Sequence, residues 1–365
     1  MSESVLITGG AGFIGSHLAD ELLRAGHRVR ALDNLVEQVH GDPVRPAYLS
    51  DEIELVAGDL RNAELVRSAL EGVDSVVHLA ARVGVAQSMY KLAEYAGANT
   101  AGTAVLLEAL LDHPVRKLVV ASSMSVYGEG AYEPAPALER TRDQLKRGEW
   151  EPRGPNGEEL RPVPTPETKA PSLASVYALT KYDQERMCLL FGAAYDVPTV
   201  ALRFFNVYGP RQALSNPYTG VLAIFAARLL NGRRPLVYED GKQRRDFVNV
   251  ADAVRACVLA LERDGADGFA VNVGSGRSAT VLEIATLLAE LLGREVEPEL
   301  PGAFRAGDIR HCFADVSSAR ERLGFEAEVR LEDGVGELAG WLQGQSPVDR
   351  SDAASAELAD RGLTR

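Results

Sequence analysis

A glycine-rich turn directly follows the first apolar segment of the chain. Residues 5–8 read Val-Leu-Ile-Thr, and the next seven residues place glycines at Gly9, Gly12 and Gly15. A strand that ends in this spacing and then begins a helix is typical of a dinucleotide-binding βαβ unit, because the turn must be tight and the backbone must approach a pyrophosphate. A plain glycine turn without a ligand is the alternative. The turn favours a parallel sheet with crossover helices.

The rest of the first half supports that fold. Apolar segments at 5–8, 28–32, 53–58, 75–79, 117–122 and 199–203 predict strands, and amphipathic segments at 15–24, 63–70, 99–111 and 173–195 predict helices. Regular alternation of strands and helices predicts an α/β fold with a doubly wound parallel sheet. After about residue 208 the alternation weakens, with short strands predicted at 235–238, 246–250 and 269–273 and a helix at 281–292.

These patterns suggest three parts of the chain. We expect a dinucleotide-binding domain at 1–207, a smaller and mainly substrate-binding lobe at 208–345 that interleaves with the sheet domain, and a polar tail at 346–365 to which the sequence assigns no role. Residues 129–171 are rich in proline and charge, which predicts a long surface loop. Because this segment leads into the helix at 173–195, we expect it to form a flap over the site.

Composition excludes some partners. The formal net charge is -13, which disfavours binding to nucleic acid or to an anionic membrane. No apolar run approaches the ~20 residues that span a bilayer, and no charged leader precedes the first strand, so we expect a cytoplasmic protein. The three cysteines, Cys188, Cys257 and Cys312, lack metal-ligand spacing, and we expect neither a metal site nor a disulfide framework.

Two aspartates end predicted strands where the adenosine half of a dinucleotide would lie. Asp33 lies 18 residues after Gly15, where a carboxylate accepts hydrogen bonds from ribose hydroxyls and repels a 2′-phosphate, so NAD is favoured over NADP. A simple turn aspartate is the alternative. Asp59 either reaches the adenine edge or caps the helix that follows it.

A tyrosine, a lysine and two serines provide candidate chemistry. Tyr177 lies one helical turn before Lys181, and a nearby cation lowers the pKa of a phenol from its usual ~10 by favouring the phenolate. Such a base removes a hydroxyl proton while hydride leaves the same carbon. Ser122 and Ser123 end a predicted strand at the edge where doubly wound sheets bind ligands. The alternative for Ser122 and Ser123 is that they are ordinary turn serines. The alternative for Tyr177 and Lys181 is that both are exposed and have no role.

In combination, these motifs resemble the extended short-chain dehydrogenase/reductases, specifically the NAD-dependent nucleotide-sugar epimerases and dehydratases. The resemblance covers residues 4–343. It rests on the glycine loop, His-Leu-Ala-Ala at 78–81, Ala-Ser-Ser-Met-Ser-Val-Tyr-Gly at 121–128, the Tyr177 and Lys181 pair, and Arg-Phe-Phe-Asn-Val-Tyr-Gly-Pro at 203–210. It implies a Rossmann-like domain, NAD as cofactor and a nucleotide-diphosphate sugar as substrate.

The resemblance also implies roles for individual residues. The catalytic residues would be Ser123, Tyr177 and Lys181. The cofactor would contact Gly9, Gly12, Phe13, Ile14, Gly15, Asp33, Asn34, Asp59, Leu60, Leu79, Ala80, Ala81, Ser122, Tyr177, Lys181 and Phe205. The substrate would contact Ser123, Tyr177, Asn206, Arg245, Arg305 and Asp308. The helices at 99–111 and 173–195 would form a four-helix homodimer interface, although apolar helices inside a monomer have the same pattern.

One departure from the family narrows the expected reaction. The 4,6-dehydratases of the family carry an Asp-Glu pair after the catalytic hydroxyl, and the uronate decarboxylases usually keep an acid two residues after it. This chain has Met124 and Ser125 there, and neither titrates usefully, so elimination of water is disfavoured. Epimerisation at C4 remains.

Several substrates and functions stay open at this stage. Within the family the chain most resembles the branch that acts on dTDP-L-rhamnose, but no residue separates dTDP from UDP or GDP. A UDP-glucuronate or UDP-hexose 4-epimerase and an NAD-dependent sugar dehydrogenase are alternatives. A module that binds a dinucleotide without chemistry is another, and the intact Ser123, Tyr177 and Lys181 argue against it.

Overall fold

The fold is that of a computed structural model of the 365-residue chain, which describes residues 2–305 and 308–364. The strands are β1 Ser4–Thr8, β2 Arg28–Asp33, β3 Glu54–Ala57, β4 Ser75–His78, β5 Lys117–Ser123, β6 Ala131–Glu133, β7 Arg161–Val163, β8 Thr199–Phe204, β9 Asn206–Tyr208, β10 Arg244–Arg245, β11 Phe247–Asn249, β12 Ala270–Val273, β13 Ala279–Thr280 and β14 His311–Cys312.

The helices are α1 Phe13–Arg24, α2 Glu37–His40, α3 Ala63–Leu70, α4 Val85–Ser88, α5 Leu92–Tyr95, α6 Gly102–Asp112, α7 Arg142–Lys146, α8 Val176–Tyr195, α9 Val221–Leu230, α10 Val250–Glu262, α11 Val281–Leu291, α12 Ser317–Leu323, α13 Leu331–Leu342 and α14 Ser351–Asp360. A π-helical turn at Ala96–Ala101 joins α5 to α6, and a 3-10 turn at Met124–Tyr127 follows β5. Among the described residues, none of these helices is long and apolar enough to cross a bilayer.

Seven strands form one parallel sheet in the order β12-β8-β5-β4-β1-β2-β3. The order reverses between β1 and β4, and in such sheets ligands bind beyond the carboxyl ends of the strands at this point. Side chains of β1 alternate between two apolar layers, with Val5 and Ile7 in one core and Leu6 in the other. The predicted doubly wound α/β sheet is confirmed.

The second half of the chain contributes to this sheet and also builds a core of its own. Strand β12 pairs with β8 at the sheet edge, and α10 packs beside α1 in the same core. Helices α9, α11 and α13 enclose a separate apolar core around Phe225, Ile284 and Leu338. Two predicted strands differ from the structure. Residues 235–238 contribute only a single bridge, between Leu236 and Glu299, and α10 begins at Val250 because Asn249 caps it.

Residues 129–171, called the insertion below, differ from the predicted surface loop. They contain the antiparallel hairpin of β6 and β7 and the short helix α7. The N–H of Thr165 donates to the carbonyl of Phe313 over 2.8 Å. The fully buried guanidinium of Arg310 pairs with Glu151 of the insertion and with Glu239 and Asp240 of the lobe. These bonds fix the insertion to the lobe, because a buried cation requires its partners.

Candidate active site

The glycine loop packs against the backbone at the end of β4. Gly9 has a φ of +71°, and a Cβ on it would lie 2.9 Å from the backbone nitrogen of Ala80. A Cβ on Gly15 would lie only 2.2 Å from the carbonyl oxygen of Gly9. Side chains are therefore excluded at both positions, and the start of α1 approaches the turn as closely as backbone allows. This cradle fits the pyrophosphate of a dinucleotide.

The first turn of α1 presents backbone donors at this cradle. Gly12 is its N-cap and has no side chain to bind the first N–H groups, and the turn contains no acidic residue. Phe13 and Ile14 are the first two helical residues. Helix N-termini with this character favour an anion, because the helix dipole and the N–H groups both point at it.

The two predicted adenosine-side aspartates lie near each other at the same sheet edge. The carboxylate of Asp33 accepts from the N–H of Ala11 over 3.1 Å, which places it beside the glycine loop. Asp59 pairs with Arg61 over 2.7 Å, and this hydrogen bond lowers the pKa of Asp59 to about 2. Asn34, directly after Asp33, also acts to lower the pKa of Asp59.

The suggestion that Asp59 caps the following helix is wrong. Asn62 is the N-cap of α3, and its side chain accepts from the N–H of Leu65 over 3.2 Å. Leu60 is buried beside α6, where it contacts Gly102. Leu79, Ala80 and Ala81 directly follow β4 at the carboxyl edge of the sheet.

The proposed catalytic hydroxyls form a short row. Ser175 caps α8 by accepting from the N–H of Ala178 over 3.1 Å, which places Tyr177 in the first turn of the helix. The hydroxyl of Ser123 lies close enough to the phenol of Tyr177 to lower the pKa of that phenol. The hydroxyl of Ser125 donates to that of Ser123 over 2.9 Å. A proton on the tyrosine therefore has a hydroxyl partner at the end of β5.

The electrostatics of Tyr177 differ from the sequence-based expectation. Burial raises the pKa of its phenol, and the hydrogen bond from Ser123 opposes that rise only in part. The expected lowering of this pKa by Lys181 is absent in the protein alone. Because a positive charge near the phenol favours the phenolate, the oxidised nicotinamide ring is the remaining source of such a charge.

Lys181 is buried in a network that the sequence reasoning missed. Its ammonium donates to the side-chain oxygen of Gln184 over 2.6 Å, and burial lowers the pKa of Lys181 to about 8. The amide nitrogen of Gln184 lies 3.0 Å from Nε2 of His78 and donates to Thr103 over 2.8 Å. His78 in turn is 2.7 Å from the hydroxyl of Thr8 at the end of β1. The i, i+3 spacing of Lys181 and Gln184 was the available signal.

The imidazole of His78 is a neutral member of this network. Burial lowers its pKa to about 3, and the charge of Lys181 acts in the same direction. His78 therefore positions Gln184 by hydrogen bonding and does not add a second cation beside Lys181.

The side-chain hydroxyl of Ser122 is bound to another side chain of the protein. Its hydroxyl donates to the carboxylate of Glu185 over 2.6 Å, and the same carboxylate pairs with Arg203. All three side chains are buried. The side chain of Ser122 thus belongs to a buried ion pair, and only its backbone remains for the predicted cofactor contact.

The predicted substrate residues divide into two groups. Asn206 donates to the carbonyl of Asp246 over 2.8 Å, and the guanidinium of Arg245 bonds the carbonyls of Ile309 and Arg310. The side chains of Asn206 and Arg245 therefore bind backbone carbonyls. Phe205 is also buried, in a small core with Met124 and Tyr127.

Arg305 and Asp308 instead line a cleft beside the hydroxyl row. The guanidinium of Arg305 stacks over the ring of Tyr238, with 4.1 Å between its carbon and the ring centroid. The described residues that line the cleft are Val85, Ala86, Met89, Ser125, Ala174, Ser175, Arg305, Asp308, Ile309, Leu358 and Leu363. None of them belongs to the insertion, so the predicted flap over the site does not line this cleft, and two of them belong to the tail.

Comparisons with known proteins agree with this geometry. A family model described as the NAD dependent epimerase/dehydratase family matches residues 5–274. The dTDP-L-rhamnose 4-epimerase of Burkholderia thailandensis is 36% identical over 350 residues, which are 93% of this chain and 95% of that protein.

Two solved structures are also similar. The UDP-glucose 4-epimerase of Thermotoga maritima with UDP-glucose has a TM-score of 0.78 and 32% identity, covering 93% of this chain and 98% of that one. The UDP-glucose 4-epimerase of Thermus thermophilus in complex with NAD has a TM-score of 0.75 and 31% identity, covering 94% of this chain and 100% of that one.

Proposed function

Because the chain belongs to the NAD dependent epimerase/dehydratase family, we propose that it inverts C4 of a nucleotide-diphosphate sugar through a transient 4-keto intermediate. The observation that carries the proposal is the row of hydroxyls from Tyr177 to Ser123 and Ser125, which lies at the same carboxyl edge of the parallel sheet as the glycine loop. Met124 and Ser125 supply no carboxylate after the catalytic serine, which argues against dehydration.

The roles of the chain's own groups follow from their positions. The glycine loop and the first turn of α1 would hold the pyrophosphate of NAD, with Asp33 at the ribose, and NAD when bound supplies a hydride acceptor. Tyr177 takes the proton of the sugar O4 as the C4–H bond breaks, and the C4–O4 bond becomes a carbonyl. Ser123 holds O4 and passes the proton back when the alcohol forms again. Lys181, one helical turn after Tyr177, is a buried cation whose ammonium is held by the side-chain oxygen of Gln184.

Inversion requires the intermediate to present its other face. A keto sugar that is anchored at its diphosphate and loosely held at its ring can rotate, whereas one gripped at the ring cannot. Arg305 is the described cation that lines the cleft, and we assign it the diphosphate. Arg245 and Asn206 support that anchor indirectly, because they fix the backbone around Asp308 and Asp246.

We favour a dTDP-6-deoxyhexose such as dTDP-L-rhamnose as the substrate. Its support is the similarity to the dTDP-L-rhamnose 4-epimerase over 93% of the chain. A UDP-hexose or UDP-glucuronate is the second candidate, and the similarity to UDP-glucose 4-epimerases favours it. A sugar dehydrogenase would use the same catalytic residues but would release NADH.

The test incubates the purified protein with dTDP-L-rhamnose, UDP-glucose and UDP-glucuronate in heavy water, without added cofactor, and follows products by NMR. We expect conversion at C4 with no deuterium at C3 or C5 and no net NADH. Deuterium at C3 or C5, or stoichiometric NADH, would refute C4 epimerisation. The nucleotide sugar that is turned over with the highest kcat/KM identifies the base and the sugar.

We also propose a homodimer through α6 and α8. Leu179 and Leu190 of α8 are exposed, at 45% and 59% of their surface, and Leu111 of α6 is exposed at 49%. Leu179 and Leu190 are eleven residues apart, which is three helical turns, so they share one face. Light scattering of the wild type and of the Leu190→Glu variant tests this. We expect a dimer for the wild type and a monomer for the variant.

A further inference from the structure

The tail crosses the lobe and is bonded to it at the start of α14. The guanidinium of Arg228 pairs with Asp352 over 2.8 Å, and that of Arg233 pairs with Asp349 over 2.9 Å. Arg228 is buried, with 5% of its side chain exposed. Charge pairs with a buried partner are more specific than surface pairs. The beginning of the tail therefore has a defined place on α9 and the turn after it.

The middle of α14 is bonded to Tyr90, which is next to the cleft residue Met89, and to Tyr218. Glu357 accepts from the hydroxyl of Tyr90 over 2.9 Å and from that of Tyr218 over 3.1 Å. Arg361 lies over the ring of Tyr90 at 4.2 Å. Tyr90 directly follows Met89, which lines the cleft. These contacts hold α14 against the mouth of the site.

The end of the tail reaches the diphosphate anchor. Thr364 forms an antiparallel bridge with Arg305. Between the two ends, Leu358 and Leu363 line the cleft, and Leu358 retains only 3% of its surface exposed. The tail is polar, yet it contributes a buried leucine to the cleft, and a tail that packed only on itself would not do so.

We propose that residues 350–364 form the wall of the substrate pocket that contacts the substituent on C5 of the sugar, and that this wall selects a methyl group over a hydroxymethyl or a carboxylate. The inference rests on the proposed C4 epimerisation, because that reaction fixes which sugar carbon lies at Tyr177. It assigns a binding role to the tail and names Leu358 and Leu363 as specificity-determining residues.

The position of the reacting carbon determines what the wall contacts. Ser125 lines the cleft and bonds Ser123, so C4 of the sugar must lie at this end of the cleft. The ring neighbours of C4 are C3 and C5. A C3 hydroxyl needs a polar partner, whereas a C5 methyl is stabilised by burial against apolar side chains.

The lining suits a methyl better than a carboxylate. Of the eleven described residues that line the cleft, seven are apolar, namely Val85, Ala86, Met89, Ala174, Ile309, Leu358 and Leu363. The charged residues within this described lining are one cation, Arg305, and one anion, Asp308, so together they offer a second carboxylate no net positive charge. An unpaired carboxylate in such surroundings is costly.

The test compares a 6-deoxyhexose with its parent hexose on the same nucleoside diphosphate, so that the two substrates differ only at C6. In the wild type we expect a higher kcat/KM for the 6-deoxy sugar. Leu358→Ala and Leu363→Ala each shorten a side chain of the wall and so enlarge the cleft. We expect each variant to reduce the kcat/KM preference for the 6-deoxy sugar by about tenfold, mainly through KM. The matched control is Leu338→Ala, which removes the same atoms from the lobe core away from the cleft. It should lower stability and leave the preference unchanged.

A binding measurement separates this inference from the proposed reaction. Calorimetric titration with each nucleotide sugar needs no turnover, and hydrogen exchange across 351–363 should slow more when the 6-deoxy sugar binds than when the free nucleoside diphosphate binds. If the tail gains protection and Leu358→Ala changes binding but C4 does not react, the proposed reaction is wrong and only the role of the tail in sugar binding stands. The proposed role of the wall would be refuted if both leucine variants kept the kcat/KM preference of the wild type for the 6-deoxy sugar. It would also be refuted if hydrogen exchange in the tail were the same with and without each ligand.

Discussion

The ammonium of Lys181 donates a hydrogen bond of 2.6 Å to the side-chain oxygen of Gln184, with both side chains closed to solvent. An amide oxygen neutralises no charge, so the desolvated cation is held less tightly than one paired with a carboxylate. Burial lowers its pKa to about 8, compared with 10.5 in an open chain.

We therefore predict a pH-dependent stability difference between the wild type and Lys181→Met. Below pH 8 both folded and unfolded wild type carry the charge, and only the folded state bears its desolvation. Between pH 8 and 10.5 the unfolded chain binds more protons than the folded one, so the wild type gains stability relative to the variant. Urea unfolding from pH 7 to 10.5 should show that the free energy of unfolding of the variant, relative to that of the wild type, falls as the pH rises. A constant difference would mean that the lysine keeps an ordinary pKa.

The position of the Ser123 hydroxyl near the phenol of Tyr177 predicts two graded losses of activity. Tyr177→Phe should lower kcat by about 10²–10⁴, because it removes the proton acceptor. Ser123→Ala leaves the phenol in place and should cost less. Fluorescence titration of NAD should be unchanged in both variants. Turnover by Tyr177→Phe at the rate of the wild type would remove this residue from the mechanism.

Close packing in the glycine loop predicts a binding defect at Gly15. A Cβ at this position would lie 2.2 Å from the carbonyl oxygen of Gly9, so Gly15→Ala should push the loop from α1 and weaken NAD binding. The matched control is Gly340→Ala in α13, where nothing lies within 4 Å of the added atom. That variant should gain up to ~1 kcal/mol of stability through helix propensity. Equal NAD affinity in both variants would contradict the assigned cradle.

The contrast between Arg305 and Arg245 gives a further prediction. Arg305→Ala removes a cation from the cleft, and loss of a charge-assisted contact worth ~1.5–3 kcal/mol should raise the KM of the nucleotide sugar by roughly ten- to a hundredfold without changing Tm much. Arg245→Ala releases the carbonyls of Ile309 and Arg310 and should lower Tm as well. The exposed neighbour Arg244→Ala is the control. A change in Tm as large in Arg305→Ala as in Arg245→Ala would contradict this division.

Local patterns determined most of the sheet and its glycine loop. The six predicted strands of the first half all occur, and α3 has the predicted bounds of 63–70. The partners of Gln184 and the commitment of Ser122 to Glu185 could not be predicted, because they depend on side chains 63 to 106 residues apart. The prediction of a surface loop in the insertion differs from the structure for a related reason. Polar composition gave no sign of the buried charge pair at Arg310 that docks the insertion, nor of the pair at Arg228 that docks the tail.

The return of the chain to the central sheet has an evolutionary consequence. Since β12 is the edge strand beside β8, and α10 covers that edge from the same side as α1, the nucleotide-binding half is incomplete without residues 250–273. Recombination between relatives at a single breakpoint near residue 208 would leave β8 with an open edge. Changes at the termini or in insertions leave this sheet intact, and the tail of this chain is a segment of that kind.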